Sequence, residues 1–368
     1  MNNYPKLLTT LPNDDGYRMP GEFEAHSKTW MLWPERSDNW REGGRPAQRA
    51  FVEVAKAISQ FEPVIMGVNP SQYENARTML PSQVQVVEIE NNDAWMRDCG
   101  PTFVMDNSGD LRGIDWIFNA WGGLEGGLYY AWELDDAVPQ KVLEMEGKDR
   151  YKAPIVLEGG SIHVDSQGTL ITTEECLLNL DRNPTLSKDE IEGVLKSYLN
   201  ISKIIWLGRG VFNDETSGHV DNLCCFLKPG VVALTWTDDQ YDPQYEISMD
   251  ALQRLEESSD AKGRKLIIHK IHQPDPVTIT DIEAQGVGTV PGTKPRTAGD
   301  RMAASYVNFY LCNGGAVVPT FNDRHDKIAL DTLQRLMPER KVVGVLAREI
   351  LLGGGNIHCI TQQQPRGR

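Results

Sequence analysis

Shifting the segment Leu157-Glu158-Gly159-Gly160-Ser161-Ile162-His163 by 195 residues lays it on Leu352-Gly353-Gly354-Gly355-Asn356-Ile357-His358, and five of the seven positions are identical. His163-Val164-Asp165 returns as His219-Val220-Asp221 after a shift of 56. Self-similarity of this kind marks a chain built from supersecondary units that present equivalent segments to a shared centre. The pattern around the echoes agrees. Apolar residues recur at helical spacing over residues 46–61, 135–145, 187–198, 243–257 and 326–337, the third run opening with a Ser187/Glu190 capping box. Each run leads into an apolar strand, at 63–68, 154–157, 204–207, 266–268 and 342–345. A polar or glycine-rich segment comes next, and hairpin chemistry such as Asp106-Asn107-Ser108-Gly109-Asp110 or Lys228-Pro229-Gly230 then follows in several units. Five units can be counted, so the expected fold is a radial α/β repeat forming one domain over residues 1–368.

Charge narrows the class of partner. A net charge of −15 and a pI near 5.0 argue against nucleic acid, whose phosphates need clustered Lys and Arg. No stretch approaches the roughly 18 apolar residues of a membrane span, and the amino end has no basic start followed by an apolar core. Six cysteines show neither Cys-x-x-Cys nor His/Cys zinc spacing, which fits a reducing, cytoplasmic location without disulfides.

If each unit offers its site segment to the centre, residues far apart in sequence can meet there. Gly353-Gly354-Gly355 allows a sharp, open turn, and residues 356–360 have the alternation of a short strand that would present Cys359 at its edge. Such a cysteine is placed as a nucleophile should be; a small buried hydrophobe is the competing reading. His219 and Asp221 alternate along one expected strand and share a face, a parity that Glu215 also has. Asp93 with Asp98, and Asp214 with Glu215 and Asp221, form two acidic segments suited to a cation. His163 and His358 have apolar neighbours and read as packing groups, while His26, His269, His272 and His325 lie outside the site segments.

Several motifs, in order and together, carry a resemblance: Met19-Pro20-Gly21-Glu22-Phe23, Trp30-Met31-Leu32-Trp33-Pro34, Asn92-Asp93-Ala94-Trp95-Met96-Arg97-Asp98, Leu157-Glu158-Gly159-Gly160, Gly218-His219-Val220-Asp221 and the cysteine segment. The whole chain resembles the agmatine deiminases of the guanidine-modifying (pentein) superfamily. The resemblance implies a fivefold pseudosymmetric α/β propeller of ββαβ-type repeats around a central active site. It also implies hydrolysis of agmatine to N-carbamoylputrescine and ammonia, in polyamine metabolism, with no metal or organic cofactor. Cys359 would be the nucleophile, His219 the general acid/base, Glu158 the carboxylate supporting that histidine, and Asp98 and Asp221 the holders of the guanidinium. The implied partner is a small cationic guanidine, with neither nucleic acid nor membrane; assembly into a homo-oligomer is left open. Three alternatives stand beside this reading. They are a deiminase acting on arginine or peptidylarginine, a papain-like protease, disfavoured because His219 precedes Cys359, and a non-enzymatic ribosome-binding propeller.

Substrate selection can be argued past the shared core. Agmatine ends in an ammonium where arginine also carries a carboxylate, so the mouth should offer acids and aromatic faces rather than arginines. Glu215 is the expected acid, and Trp95 and Trp121 the expected flanks of the methylene chain. One difficulty follows from the same acids. A carboxylate roughly 4 Å from a thiolate disfavours it by about 4 kcal/mol at an effective dielectric of about 20, or about three pKa units. The empty site is therefore expected to hold a neutral thiol.

Overall fold

Hairpin turns and crossover helices set the architecture of the computed structural model, which describes residues 5–368. In each unit an antiparallel hairpin is followed by a helix that returns the chain to a third strand, parallel to the second, because a parallel partner can only be reached by crossing over. One unit pairs Thr102–Met105 with Leu111–Ile117, crosses through the helix Val138–Met145 and returns as Arg150–Val156. The next runs His163–Val164, Thr169–Thr173, the helix Lys188–Leu199 and Lys203–Leu207. It is followed by Cys224–Lys228, Val231–Trp236, the helix Gln244–Glu257 and Ile267–His272. Then come Tyr310–Cys312, Gly315–Thr320, the helix Asp326–Leu336 and Lys341–Leu346. These sheets, with a fifth described below, make the fivefold α/β propeller.

The fifth unit is built differently. Its second and third strands, His26–Leu32 and Val64–Val68, flank the helix Arg45–Ile58 near the amino end, but its first strand, Gln362–Pro365, comes from the opposite end of the chain and pairs antiparallel with His26–Leu32. The closing strand is fastened by side chains as well: Trp30 Nε1 donates to Gln364 Oε1 at 2.8 Å, and Gln362 Nε2 to the Pro101 carbonyl at 2.8 Å. Local pattern could not reveal this hairpin, because no turn joins its strands.

Elsewhere the elements form where the residues favour them. The helix Arg45–Ile58 buries Phe51, Val54, Ala55 and Ile58 on one face, and the strand beyond it, Val64–Val68, is buried throughout. The Ser187/Glu190 capping box is present in both directions. Two expectations need correction. The run at 135–145 is two helices, Glu133–Asp136 and Val138–Met145, the second starting with Pro139 in its first turn, where a missing N–H is tolerated. The strand expected at 154–157 begins at Arg150 and passes through Pro154, beside a register shift in the pairing with Leu111–Ile117 where a ladder donor is dispensable. Residues 275–299 hold a short capped helix, Asp281–Gln285, tied to the site side of the molecule by Arg348, which donates to Glu283 Oε1 at 2.6 Å and to Oε2 at 2.8 Å. Among the described residues no helix is long and apolar enough to cross a membrane.

Removing residues 362–368 leaves Cys359 in place but deletes the closing strand and exposes the edge of His26–Leu32. The truncated chain is expected to melt several degrees below the full chain in a thermal scan followed by far-ultraviolet circular dichroism. An unchanged melting temperature would show that the closure does not stabilise the ring.

Candidate active site

Each unit ends its third strand near the centre and enters its next hairpin through a short irregular segment, and these segments carry the site. Asp98 lies on the helical turn Met96–Cys99, Glu158 just before the 3-10 turn Gly159–Ser161, and Cys359 within the 3-10 turn His358–Ile360. His219 directly precedes the helical turn Val220–Leu223, which carries Asp221. The strand expected for residues 356–360 is thus a 3-10 turn, and the strand begins only at Gln362. His219 and Asp221 likewise do not alternate along a strand. They face the same centre because His219, with φ −54° and ψ 139°, stands outside the helix that holds Asp221.

The convergence is tight around Gly160. A Cβ built there would lie 2.5 Å from His219 Nδ1, 2.8 Å from Asp98 Oδ1 and 2.9 Å from Asp221 Oδ2, so only glycine lets these three groups close over the backbone. Gly355 does the same for the nucleophile, since a Cβ there would stand 2.6 Å from the Trp95 ring and 3.1 Å from Cys359 Sγ. Cys359 is buried. Its sulfur receives Asn308 Nδ2 at 3.4 Å and the Asn356 backbone N–H at 3.5 Å, and lies 3.7 Å from Asp221 Oδ2.

The carboxylates differ in how their charge is met. Glu158 accepts from Arg182 Nε at 2.7 Å in a fully buried ion pair, and its other oxygen lies 3.4 Å from His219 Nε2. Burial alone would raise this carboxyl, but Arg182 and His219 hold it down at about 2. Asp221 accepts from His358 Nδ1 at 2.8 Å, and against the effect of burial His358 and His219 keep it below the ordinary aspartate range. Asp98 has neutral donors only, the Gly160 N–H at 2.9 Å and the Trp121 indole at 3.0 Å. Burial pushes it up to about 6 against the pull of His219, with Asp221 and Glu158 adding to the rise.

His219 itself is pushed down by burial, yet Asp98 and its other neighbours Cys176 and Glu158 raise it well above the ordinary histidine value. Those neighbours favour the imidazolium form. Neither ring nitrogen of His219, nor Asp221 Oδ1, has a hydrogen-bond partner among the described residues. Buried polar atoms left bare in this way are the atoms a bound donor or acceptor would satisfy.

A narrow cleft leads to the sulfur, lined by Asp98, Trp95, Trp121, Leu128, Tyr129 and Gly353-Gly354-Gly355, among others. Trp95 and Trp121 meet edge to face with ring centroids 6.1 Å apart, and Trp40 stacks on the far side of Trp95 at 5.1 Å. Asp93, expected to help hold a cation, is saturated instead. It accepts from the Trp40 indole at 2.6 Å, the Trp95 indole at 2.9 Å, Asn39 Nδ2 at 2.7 Å and the Ala94 N–H at 2.8 Å, so it is the post on which the tryptophan wall hangs. Asp214 is likewise spent on its own loop, accepting from the Thr216 and His219 N–H groups at 3.0 Å each.

Glu215 stands beside Gly354 but is not a free acid: Arg296 is ion-paired to it, and Lys294 Nζ lies 3.4 Å from its Oε1. The expectation that the mouth lacks arginine therefore needs correction. Arg296 is buried there, and its Nη2 also donates to Asn39 Oδ1 at 2.7 Å and to the Gly353 carbonyl at 2.6 Å. Sequence reasoning did not single out Arg182, Asn308 or Arg296, whose partners lie tens to hundreds of residues away. It also assigned His358 to packing, whereas both ring nitrogens meet carboxylates.

Residues 18–365 match the Porphyromonas-type peptidyl-arginine deiminase family. The chain belongs to that family. It is 59% identical over 362 residues to the agmatine deiminase of Pseudomonas aeruginosa, covering 98% of each chain. The solved structure of Enterococcus faecalis agmatine deiminase superposes with a TM-score of 0.96 at 52% identity, covering 98% of this chain and 99% of that one. The C. jejuni agmatine deiminase structure gives 0.79 at 28% identity, over 95% of this chain and 97% of that one.

The arrangement determines the state of the nucleophile. Burial, then the charges of Asp221 and Asp98, push the Cys359 thiol well above its ordinary value, so it is protonated at neutral pH in the empty site. A bound guanidinium would offset both acids and lower that value. Ultraviolet titration of the thiolate should therefore show ionisation at lower pH with a non-reacting guanidine than without; the same midpoint in both would defeat the argument.

Proposed function

We propose that this chain hydrolyses agmatine to N-carbamoylputrescine and ammonia in polyamine metabolism, through a covalent thiouronium on Cys359. The observation that carries the reading is the meeting of His219, Asp98 and Asp221 around Gly160, with Cys359 Sγ 3.7 Å from Asp221, beside a narrow cleft lined by Trp95 and Trp121. A guanidinium is planar with N–H donors in a fixed fork, so two carboxylates can grip it and set its carbon toward the sulfur. The near full-length identity to proteins named for agmatine supports the same substrate.

The chemistry follows from the charges. As the cation binds, the Cys359 thiol loses its proton to solvent; the thiolate adds to the guanidinium carbon, and the His219 imidazolium gives its proton to a terminal nitrogen, which leaves as ammonia. Carbon stays bonded to sulfur as a thiouronium. His219, now neutral, takes a proton from water as its oxygen attacks that carbon; the thiolate departs and the remaining hydroxyl proton passes to it, which leaves the ureido product and restores the thiol. Glu158, kept ionised by Arg182, stabilises the charged histidine in each cycle. No residue is asked to bind a metal or an organic cofactor. The reading takes residues 1–368 as one catalytic unit working in the cytoplasm, where the thiol stays reduced, without nucleic-acid or membrane partners.

The family's description names peptidyl-arginine, yet the cleft favours a small substrate, because Arg296 ties residues 275–299 to Asn39 and Gly353 across its mouth. Both terminal nitrogens of Arg296 are spent on Glu215, Asn39 and the Gly353 carbonyl, and only its buried Nε is left without a partner among the described residues, so it offers little to a substrate carboxylate. Glu215 can still read the remote ammonium. Lys294 is half-exposed and its ammonium lies 3.4 Å from Oε1, which identifies a place that a second ammonium could take. Glu215→Gln should raise the KM for agmatine and reduce its preference over arginine, whereas unchanged steady-state kinetics would assign the ammonium to another acid.

The reaction itself is tested by product analysis and by mass spectrometry of protein quenched during turnover. The expected results are a ureido product, ammonia and an amidine adduct on Cys359. Cys359→Ser should bind agmatine by calorimetry without turning it over, and Asp98→Asn or Asp221→Asn should lose both. Faster processing of arginine or peptidylarginine than of agmatine would overturn the substrate assignment, and near-full activity in the serine variant would overturn the covalent route.

A further inference from the structure

His358, the residue before the nucleophile, is buried with two carboxylates on its ring: Nδ1 lies 2.8 Å from Asp221 Oδ2 and Nε2 lies 2.7 Å from Glu22 Oε2. A neutral imidazole carries one N–H and one lone pair, so one of these contacts would set a lone pair against a carboxylate oxygen. With Glu22 and Asp221 both ionised, as their lowered carboxyls favour, both contacts are attractive only when the ring is doubly protonated. We propose that His358 is an imidazolium clamp, gripped between Asp221 and Glu22, that fixes the orientation and the negative charge of the guanidinium-holding carboxylate. This rests on the reading of Asp221 as a guanidinium holder.

The far end of the clamp is anchored. Glu22 Oε1 accepts the Leu311 N–H at 2.7 Å, and Arg97 Nη2 lies 3.2 Å from Glu22 Oε2. Burial works against its ionisation, but His358 and Arg97 hold the carboxyl far below the ordinary range. The other groups that face His358 do not release it. Burial and the neighbouring Arg97 push the ring down, while Glu22 and Asp221 raise it above the ordinary histidine value. His163 stacks on it with centroids 6.1 Å apart, but its Nδ1 accepts the Phe226 N–H at 3.2 Å and burial lowers it to about 4, so it is neutral and does not compete for the carboxylates.

The near end of the clamp sets the site. With Asp221 Oδ2 committed to His358, the carboxylate cannot swing, and Oδ1 is left buried without a partner among the described residues. The His358 backbone N–H also donates to Asn308 Oδ1 at 2.9 Å, and Asn308 Nδ2 donates to Cys359 Sγ at 3.4 Å. One residue thus braces the acid that receives substrate and the amide that faces the sulfur. His358 is a positioning residue and touches no substrate atom in this proposal.

Histidine-selective nitrogen-15 NMR of the wild-type protein at about pH 8, above the ordinary histidine value, should show His358 with both ring nitrogens protonated, its signal identified by loss in His358→Gln. A neutral ring at that pH overturns the clamp. In kinetics His358→Gln keeps a donor but removes the charge, so the KM for agmatine should rise roughly ten- to a hundredfold, the worth of a charge-assisted hydrogen bond. Its kcat should fall less. The acid limb of kcat/KM, set in the wild type by Asp98, should steepen and move up in pH, since Asp221 loses the cation that keeps it ionised. Glu22→Gln should instead move the alkaline limb down, because His358 with one carboxylate loses its proton sooner. A packing role would leave both limbs where they are, and that result also overturns the clamp. If His358→Gln does not fold, the wild-type spectrum, assigned by elimination among the other histidines, still decides. Failure of the wild type to process agmatine would count against the functional reading, whereas the NMR result bears on the clamp alone.

Discussion

Negative charge buried away from water has to be answered by positive charge or by N–H donors, and that requirement organises the centre of this molecule. Glu158 is answered by Arg182, Asp221 by His358, and Glu22, on the other side of that ring, by His358 and Arg97 together. Asp98 takes hydrogen bonds only from a backbone N–H and an indole, with His219 Nδ1 farther off at 3.7 Å, and burial pushes it up to about 6. The two carboxylates proposed to hold the guanidinium are therefore not equivalent. Asp221 is held below the ordinary aspartate range by its partners, whereas Asp98 is raised above it and gains more from the arrival of a cation.

The same logic connects the wall of the cleft to its floor. Trp121 is part of the wall and also a hydrogen-bond donor to Asp98, and its backbone carbonyl accepts from Arg182, the cation of Glu158. Trp95 and Trp40 hang from Asp93. Aromatic surface for an alkyl chain and polar positioning for a guanidinium are thus built from the same side chains, so a change at either tryptophan would disturb both.

Much of this was legible in the chain. The internal echoes, the capping box at Ser187 and the hairpin turns each depend on residues close in sequence, and five units with their crossover helices followed from them. The residues proposed for the site could be picked out through the motifs that contain them, Asp98, Glu158, His219, Asp221 and Cys359 all lying in the short turns between units. Their local conformation was misread, because Gly-rich segments and a polar alternation resemble strand ends when the backbone is in fact turning. What stayed hidden depends on long-range pairing. Arg182 acquires meaning only beside Glu158, Arg296 only beside Glu215, and His358 looked like a packing group because its acids, Asp221 and Glu22, are 137 and 336 residues away.

The ring is closed by pairing Gln362–Pro365 with His26–Leu32, and Cys359 sits just before that closing strand. During synthesis the amino-terminal strand leaves the ribosome hundreds of residues before its partner does. The carboxylates and the histidine can therefore assemble in a nascent chain that still has no nucleophile, and the last strand delivers the sulfur as it seals the ring. A chain interrupted before residue 359 lacks both the sulfur and the closure. Chemical competence therefore arrives late, with the strand that seals the ring.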